Sequence, residues 1–283
     1  MRWWLRHAWK LAGEASLGPG RFFIVGVVNN TPDSFYDGGK AFGTDKAVHH
    51  ALSLFEQAAD MIDVGGESTR PFSERVSLEE ELQRVLPVLQ GVLAKRPEAL
   101  VSVDTYKAEV AVKALQAGAA AINDVSACRF DRGLLDVLVQ YQPGYVLMHS
   151  LSSPEDMQKD PRYTDVVAEI RRFFEERLTV LVKAGLSEEH VVLDPGIGFG
   201  KTLEHNLAIL RGLASFSELG RPLYIGLSNK SMWGKLLGLE AGQRQNATQA
   251  ATALTAEKGV CLHRVHEVGL TRQTLDIVEA LTA

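Results

Sequence analysis

Polar and charged side chains recur at one kind of position in this sequence, the end of a short apolar run. Three of them carry carboxylate or amide groups, and they are Asp104, Asn123 and Asp194. Such a set suits a planar heterocycle that presents several N–H donors and ring acceptors. Basic or donating side chains at the same kind of position suit phosphate or pyrophosphate, which arginine can bind through two parallel hydrogen bonds. They are Thr69, Arg70, Lys230, Arg264 and His266.

Asn29 and His266 could bind a metal ion and an anion, respectively. Asn29 ends the first apolar run and offers a neutral oxygen, and Mg²⁺ prefers oxygen ligands alongside waters and phosphate oxygens. His266 alternates with Arg264 in the last run, so both side chains point to one face of a strand. This alternation favours His266 as an anion ligand over a core histidine. The histidines show no metal-ligand spacing on one helix, so we expect no zinc site.

Eight apolar runs rich in valine and isoleucine contain or precede these positions and predict buried strands. Amphipathic segments lie between them, and two of these end at Gly118 and Gly185, where glycine is a helix-stop signal. Eight strands that alternate with helices predict an α/β fold, a (β/α)8 TIM barrel, rather than an open doubly wound sheet. The predicted strands span 22–29, 61–66, 100–105, 120–125, 145–150, 191–196, 223–228 and 260–266.

The ends of these strands meet at one rim of a TIM barrel, where active sites of this fold lie. A single aspartate at a strand end is as often a helix N-cap as a ligand. Nearly every predicted strand ends in a polar group, however, and this convergence predicts a functional site. We expect one barrel domain over 21–283, with two helices between the last two strands, because Gly238 and Gly242 break that gap.

Residues 1–20 form a basic and aromatic extension. We expect it to pack on the barrel, and a helix on a membrane surface is the alternative. The extension has no uninterrupted apolar segment, which argues against a signal peptide, and no run of the chain is apolar enough to span a membrane.

The charge and cysteine content narrow the class of protein. A net charge of −5 and a pI of about 5.9 argue against a general nucleic-acid surface, which is basic. The two cysteines, Cys128 and Cys261, lack metal-ligand or CxxC spacing, so we expect reduced thiols in a cytoplasmic protein.

The segment "LDPGIGFGKT" at 193–202 is similar to a nucleotide-binding phosphate loop but does not match it. That loop needs four residues between its first glycine and the Gly-Lys pair. The first position is Pro195 here, and Gly196 leaves three residues between. The segment also follows the sixth strand of the predicted barrel, so we interpret its glycines as a tight turn behind Asp194.

Eight blocks, in order along nearly the whole chain, closely resemble dihydropteroate synthase. They are "VVNNTPDSFYDGG" (27–39), "DVGGESTRP" (63–71), "SVDTYKAEVA" (102–111), "INDVS" (122–126), "LMHS" (147–150), "DPGIGFGKT" (194–202), "GLSNKS" (226–231) and "RVHEV" (264–268). The family folds as a TIM barrel and joins 6-hydroxymethyl-7,8-dihydropterin pyrophosphate to p-aminobenzoate, with release of pyrophosphate. The resemblance also implies a homodimer that uses Mg²⁺.

The resemblance assigns roles to individual residues. It places the pterin against Asp104, Asn123, Asp194 and Lys230, with Met148 lining the pocket. Arg264 would pack on the pterin and contact the pyrophosphate, which Thr69, Arg70 and His266 would also bind. Asn29 would hold Mg²⁺, and Ser228 would lie near the carboxylate of p-aminobenzoate, at the start of a helix. The catalytic set that the resemblance implies is Lys230, Arg264, Asp104 and Asp194.

Four positions depart from the family pattern: Asn229 stands for the usual Arg, Phe72 for Gly, Asn30 for Val and Glu267 for Asp. Loss of the positive charge at position 229 could weaken p-aminobenzoate binding. The alternatives are therefore a divergent paralogue, either similar to methyltetrahydrofolate–corrinoid methyltransferases or a non-catalytic pterin-binding subunit. A methyltransferase has no need to bind pyrophosphate, so Thr69, Arg70, Arg264 and His266 favour the synthase.

Overall fold

Eight parallel strands close into a barrel in the part of the chain that the structure describes. That structure is a computed structural model, which covers residues 8–31, 40–68, 73, 75–151, 157 and 160–282, with only the backbone for 40–42. Each barrel strand pairs with the next along the chain, and the last pairs with the first. Two short strands, β1 (Trp9–Lys10) and β2 (Ser16–Leu17), come first in the chain and form a hairpin. The barrel strands are β3 (Phe23–Asn29), β4 (Met61–Gly65), β5 (Val101–Asp104), β6 (Ala121–Asp124), β7 (Gly144–Met148), β8 (Val191–Asp194), β9 (Leu223–Ile225) and β10 (Val260–Val265). The predicted TIM barrel is confirmed.

A helix follows every barrel strand, and two helices separate β9 from β10, as the glycines in that gap predict. The helices are α1 (Lys40–Glu56), α2 (Leu78–Lys95), α3 (Ala108–Gln116), α4 (Gly133–Tyr141), α5 (Val166–Ala184), α6 (Leu203–Arg211), α7 (Leu213–Ser217), α8 (Ser231–Leu237), α9 (Gln245–Glu257) and α10 (Val268–Thr282). Gly185 ends α5 in a left-handed conformation, with φ of 114°, which glycine adopts without steric penalty. No helix among the described residues has the length and apolarity to cross a bilayer.

Alternation along the strands separates the barrel interior from the layer beneath the helices. Ile24 and Leu147 pack in a large buried cluster together with helix residues, so this set of positions faces outward. Val25, Val146 and Val192 pack in a second cluster. Because neighbouring strand residues point to opposite faces, this second set fills the interior of the barrel.

A short hairpin covers the N-terminal end of the barrel. Its strands are β1 (Trp9–Lys10) and β2 (Ser16–Leu17), which pair antiparallel, so these residues are not helical. The Trp9 side chain is 3% exposed within the interior cluster, and its Nε1 donates to the carbonyl of His190 at 2.7 Å. Because His190 directly precedes β8, the hairpin lies at the end of the barrel opposite the predicted rim.

Candidate active site

The polar residues of the rim lie on inward-facing positions of the strands, two or four residues after the apolar residues that fill the barrel interior. Asn29 is in phase with Val25 of β3, Asn123 with Ala121 of β6, and Asp194 with Val192 of β8. Strand register carries this row across the sheet, because Asn29 pairs with Gly65, Gly65 with Asp104, and Asp104 with Asn123. The interior therefore changes from apolar to polar at the C-terminal ends of the strands.

Arg264 is the central group of this rim. Its Nε donates to Asp63 Oδ2 at 2.7 Å and its Nη2 donates to Asp104 Oδ2 at 3.0 Å. Asn123 Nδ2 donates to the same Asp63 oxygen at 2.9 Å. Asp63 is fully buried and Asp104 is 8% exposed. Four strands thus contribute to one hydrogen-bonded cluster, which fixes the plane of the guanidinium.

Burial and charge set the protonation of this cluster. Burial raises the pKa of Asp104 to about 8, the positive charge of Arg264 opposes the rise, and the Asp63 carboxylate adds to it. Burial also disfavours the charge of Arg264, but Asp63 and Asp104 outweigh that effect, and the pKa of Arg264 lies above its ordinary value. The guanidinium is therefore a permanent cation, while Asp104 can exchange a proton near neutral pH.

A second pair of opposite charges, Asp194 and Lys230, lies at the ends of β8 and β9. Burial raises the pKa of Asp194 to about 6. Two interactions oppose this rise: the Gly196 N–H donates to Asp194 Oδ1 at 2.7 Å, and the positive charge of Lys230 lies nearby. Burial lowers the pKa of Lys230 to about 8, and Asp194 opposes this shift. The Lys230 ammonium lies 4.6 Å from the centre of the Phe199 ring. Between about pH 6 and 8, Asp194 is a carboxylate and Lys230 an ammonium.

Lys201 fixes the turn behind Asp194 from within the fold. Its ammonium donates to His149 Nδ1 at 3.1 Å, to the His149 carbonyl at 3.2 Å and to the Phe199 carbonyl at 2.8 Å. Burial lowers the pKa of His149 to about 2, so its imidazole is neutral and accepts at Nδ1. Lys201 is 2% exposed and Thr202 caps α6 together with His205. The Gly-Lys-Thr sequence therefore builds a turn and does not bind a phosphate.

Gly196 allows this turn to pass against β7. Its φ is 68°, and a Cβ at this position would lie 2.0 Å from the His149 carbonyl oxygen. Gly220 has a similar φ of 72° but no atom within 4 Å of its Cβ position. The two glycines share a backbone conformation and differ in steric space.

We expect Gly196→Ala to lose more stability than Gly220→Ala, together with most of the activity that depends on Asp194. The left-handed conformation costs either alanine about 1–2 kcal/mol, and only Gly196→Ala must also displace backbone and the N–H bonded to Asp194. Denaturant unfolding and kcat/KM of both variants measure the difference. Equal destabilisation with full activity in both would contradict the steric role of Gly196.

Ser228 and His266 contact each other on the β9 and β10 side of the rim. Ser228 Oγ lies 3.0 Å from His266 Nδ1 and accepts from the His266 N–H at 3.3 Å. His266 is exposed, whereas Ser228 is buried. The helix α8 begins at Ser231, after Lys230, so Ser228 precedes the helix and orients His266.

Asn29 lies near Asp104 above Gly65. A Cβ built on Gly65 would be 3.5 Å from Asn29 Oδ1 and 3.9 Å from Asp104 Oδ2, so two oxygens approach one point on the rim. The residues that the structure describes contain no group of three or more His, Cys, Asp or Glu side chains suited to a metal ion. A cation at Asn29 would thus depend on water and phosphate oxygens, in the manner of Mg²⁺.

Of the remaining predicted residues, Met148 is in the described structure and two are not. Met148 is 2% exposed and pairs in register with Asp194, so it lies beside the acidic pocket. Thr69 and Arg70 fall outside the described residues, as does Phe72.

Sequence reasoning missed Asp63, Phe199 and the internal role of Lys201. Asp63 had a readable signal, because it lies between Met61 and Gly65 on the inward phase of β4, where a charged residue needs a partner. Phe199 and Lys201 belong to the turn that follows β8, and their contacts depend on how that turn folds.

The fold and this site can be compared with known proteins. Residues 25–266 match the family model described as "Pterin binding enzyme". Dihydropteroate synthase of Escherichia coli K12 is 42% identical over 257 residues, which are 91% of this chain and 90% of that protein. The same enzyme of Neisseria meningitidis serogroup C is 41% identical over 281 residues, 98% of each chain.

Solved structures agree with these relatives. Xanthomonas albilineans dihydropteroate synthase with 4-aminobenzoic acid superposes with a TM-score of 0.91 at 42% identity, covering 98% of this chain and 99% of that one. Its complex with 7,8-dihydropteroate gives 0.85 at 40% identity, covering 95% and 96%. The chain, which matches these proteins over nearly its full length, is a transferase that belongs to the dihydropteroate synthase family of pterin binding enzymes.

Proposed function

We propose that the rim joins 6-hydroxymethyl-7,8-dihydropterin pyrophosphate to p-aminobenzoate through the residues described above. The observation that carries this assignment is that buried carboxylates lie beside both Arg264 and Lys230 at one rim of the barrel. Such a pocket can accept hydrogen bonds from a heterocycle and stabilise an anionic leaving group. A barrel that bound only a phosphate group would need the cations but not the buried carboxylates, and one that bound an apolar ligand would need neither.

The pterin would bind against Asp104, Asn123, Asp194 and Met148. Asp194 is ionised above about pH 6 and can accept from the N–H donors of the ring, and a buried hydrogen bond to a charged group contributes about 1.5–3 kcal/mol. Lys230, with its ammonium near Asp194, can donate to a ring acceptor.

The pyrophosphate would lie over Arg264 and His266, with Thr69 and Arg70 as further contacts and p-aminobenzoate near Ser228. The fixed guanidinium of Arg264 stabilises the charge that develops as the leaving group departs. Asn29 would hold Mg²⁺, which when bound would supply positive charge to the pyrophosphate oxygens.

The reaction then needs no covalent bond to the protein. The bond between the pterin methylene carbon and oxygen breaks, and its electron pair leaves with pyrophosphate. The electron-rich pterin stabilises the cationic methylene carbon, which the nitrogen of p-aminobenzoate attacks. That nitrogen gives up a proton to water or to the released pyrophosphate.

The departure at position 229 fits this proposal. Asn229 has φ of 55°, a left-handed conformation in which asparagine is enriched. The guanidinium of Arg244 donates to the Asn229 carbonyl at 3.2 Å, so a positive charge lies next to this position without an arginine in it. This contact favours a working synthase over the non-catalytic alternative.

We also propose a homodimer in the cytoplasm, with residues 1–20 as an extension of the single barrel domain 21–283. The packed helices α9 and α10 expose Leu254 at 67%, Ile277 at 60% and Leu281 at 79%. Contiguous exposed apolar groups are typical of an interface, and we propose that these three leucine and isoleucine side chains contribute to it. Cys128 and Cys261 are free thiols, as a reducing compartment requires.

The direct test is release of pyrophosphate from the purified full chain with both substrates. We expect stoichiometric pyrophosphate and 7,8-dihydropteroate, loss of most activity with excess chelator, and recovery on adding Mg²⁺. Omitting p-aminobenzoate is the control for hydrolysis. No pyrophosphate release at saturating substrates and Mg²⁺ would overturn the proposal and favour the pterin-binding alternative.

A further inference from the structure

The loop that carries Ser228 and Lys230 is held through the backbone of the residue between them, Asn229. The Asn229 N–H donates to Thr248 Oγ1 at 3.2 Å, and the Asn229 carbonyl accepts from Arg244 Nη1 at 3.2 Å. Arg244 directly precedes α9, and Thr248 lies within the first four residues of that helix. The start of one helix therefore binds both polar backbone groups of Asn229.

Asn229 needs such support because of its backbone conformation. Its φ of 55° lies in the left-handed region, which brings a Cβ too close to the backbone for most residues and which asparagine tolerates better than most. This conformation redirects the chain between β9 and α8, so it decides where the side chains on either side of Asn229 point. Without the two bonds from α9, the loop can relax towards a right-handed or extended conformation.

The Thr248 hydroxyl is committed to this contact. Thr248 is 1% exposed, and its Oγ1 donates to the Arg244 carbonyl at 2.9 Å. Because a hydroxyl has a single proton, this bond leaves Oγ1 to accept from the Asn229 N–H. The Arg244 guanidinium has room beside α8 because Gly234 has no side chain, since a Cβ there would lie 2.8 Å from Arg244 Nη2. The loop, α8 and α9 are thus joined at one point.

The two neighbours of Asn229 make contacts of the rim. Ser228 Oγ lies 3.0 Å from His266 Nδ1, and the Lys230 ammonium lies 4.6 Å from the centre of the Phe199 ring. The charged groups that act on this ammonium are Asp194, Asp104, Arg264 and Lys201. A change in the conformation of Asn229 would therefore move the contacts of both neighbours.

The stability of α9 does not require this arrangement. Thr255 is a second buried threonine of the same helix, 3% exposed, and its hydroxyl donates to the carbonyls of Ala251 and Thr252 at 2.9 and 3.1 Å. Thr248 makes the same kind of bond to its own helix, but its oxygen also accepts from the loop that enters the rim. The second bond of Thr248 thus serves the loop.

We propose that Thr248 and Arg244 are positioning residues, which hold the left-handed conformation of Asn229 and so direct Lys230 to the pterin pocket and Ser228 to His266. The inference rests on the proposed function, because that function assigns the pterin to Lys230 and p-aminobenzoate to Ser228. Thr248 and Arg244 act through the loop backbone, without contact to either substrate.

The first test removes the Thr248 hydroxyl and keeps the shape of the side chain. In Thr248→Val we expect kcat/KM to fall by about 10- to 100-fold for both substrates, because a misplacement of about 1 Å away from the chemistry can cost about 100-fold. Thr248→Ser keeps the hydroxyl and should retain most of the wild-type value. Thr255→Val is the matched control, since it is the same change in a buried threonine of the same helix, and it should leave kcat/KM unchanged.

The pH profile gives a readout that a loss of stability alone would not move. Burial lowers the pKa of Lys230 to about 8, and kcat/KM should fall above this pH as the ammonium loses its proton. A loop released from α9 exposes the ammonium to water, and its pKa then rises towards the ordinary value. We therefore expect the alkaline limb of Thr248→Val to lie at higher pH than that of the wild type, with Thr255→Val unchanged.

Arg244→Met tests the same loop from its carbonyl side and replaces Thr248→Val should that variant fail to fold. It removes the guanidinium and keeps a long side chain, and we expect both kcat/KM and the alkaline limb to change in the same direction as in Thr248→Val. The double variant should lose less than the product of the two single losses, because either substitution alone releases Asn229.

Three results would overturn the inference. They are wild-type kcat/KM in folded Thr248→Val or Arg244→Met, a loss that Thr255→Val reproduces, and a reduced kcat/KM with the alkaline limb in its wild-type place. Failure of the proposed function gives a different result, because the wild-type chain would then release no pyrophosphate.

Discussion

Arg264→Ala is expected to lower kcat by about 1,000-fold. This is the upper end of the range for removal of one donor that stabilises developing negative charge. The guanidinium is held by Asp63 and Asp104 at 2.7 and 3.0 Å, so it is oriented before substrate binds. In the proposed reaction, its removal takes away the fixed cation that would face the leaving group. Measurement of pyrophosphate release under saturating substrates gives kcat directly.

The same substitution leaves two buried carboxylates without their cation. Breaking a buried ion pair lowers the free energy of unfolding by about 3–5 kcal/mol. Thermal unfolding of each variant must therefore be measured together with its kinetics, to show that the variant is folded. Arg264→Lys keeps the charge but loses the two-pronged geometry, and we expect it to fold while remaining at least about tenfold slower.

Arg171 offers a matched control for Arg264. It also contacts two carboxylates, Glu175 and Glu218, but on the outer surface at α5. Arg171→Ala should keep wild-type activity, because exposed pairs contribute about 0–1 kcal/mol. A folded Arg264→Ala variant with wild-type turnover would show that the leaving group is stabilised elsewhere.

The sequence predicted the barrel and the rim because both depend on local signals. Alternation along a strand fixes which residues share a face, so Asn123 and Asp194 could be placed on the rim from strand ends alone. The glycine stop signals at Gly118 and Gly185 are equally local.

Which side chains of the rim contact each other depends on strand register, and this could not be predicted from local sequence signals. Arg264 meets Asp63 across 201 residues of sequence, through pairing of β10 with β3 and of β3 with β4. Lys201 was singled out by a near-match to a phosphate loop, yet the turn directs its ammonium into the fold. Local pattern gives the face of a residue, whereas its partner follows from strand order and the path of each loop.

Asp194→Asn is expected to remove the acidic limb of the pH profile of kcat/KM for the pterin pyrophosphate. Asp194 has a pKa of about 6. Its carboxylate form offers both oxygens as acceptors to ring N–H groups, whereas protonation turns one of these oxygens into a donor. In the wild type, kcat/KM should therefore fall below about pH 6 as one group titrates. In the variant, kcat/KM should be about 10- to 150-fold lower at neutral pH, the loss of a charged hydrogen bond, and independent of pH in this range.

Ionisation of Asp194 should lower the stability of the wild-type fold while it raises activity. A raised pKa means that the folded protein binds the Asp194 proton more tightly than the unfolded chain, so this carboxyl lowers stability as pH rises from about 4 to about 6. Asp194→Asn removes that penalty, which is about 3 kcal/mol from the size of the shift. The variant should thus unfold at neutral pH with a free energy at least as large as that of the wild type, and denaturant unfolding measured beside kcat/KM separates loss of activity from loss of structure.

The alkaline limb gives a second, independent check on the same pair. Asp194 opposes the fall in the pKa of Lys230, which is about 8, so removing the carboxylate should move the alkaline limb to lower pH. Asp136→Asn, on the exposed surface of α4, should leave both limbs in place. An acidic limb that survives unchanged near pH 6 in Asp194→Asn would show that a group other than Asp194 causes it. A shift of the alkaline limb without loss of the acidic one would mean that Asp194 tunes Lys230 but does not itself bind the pterin.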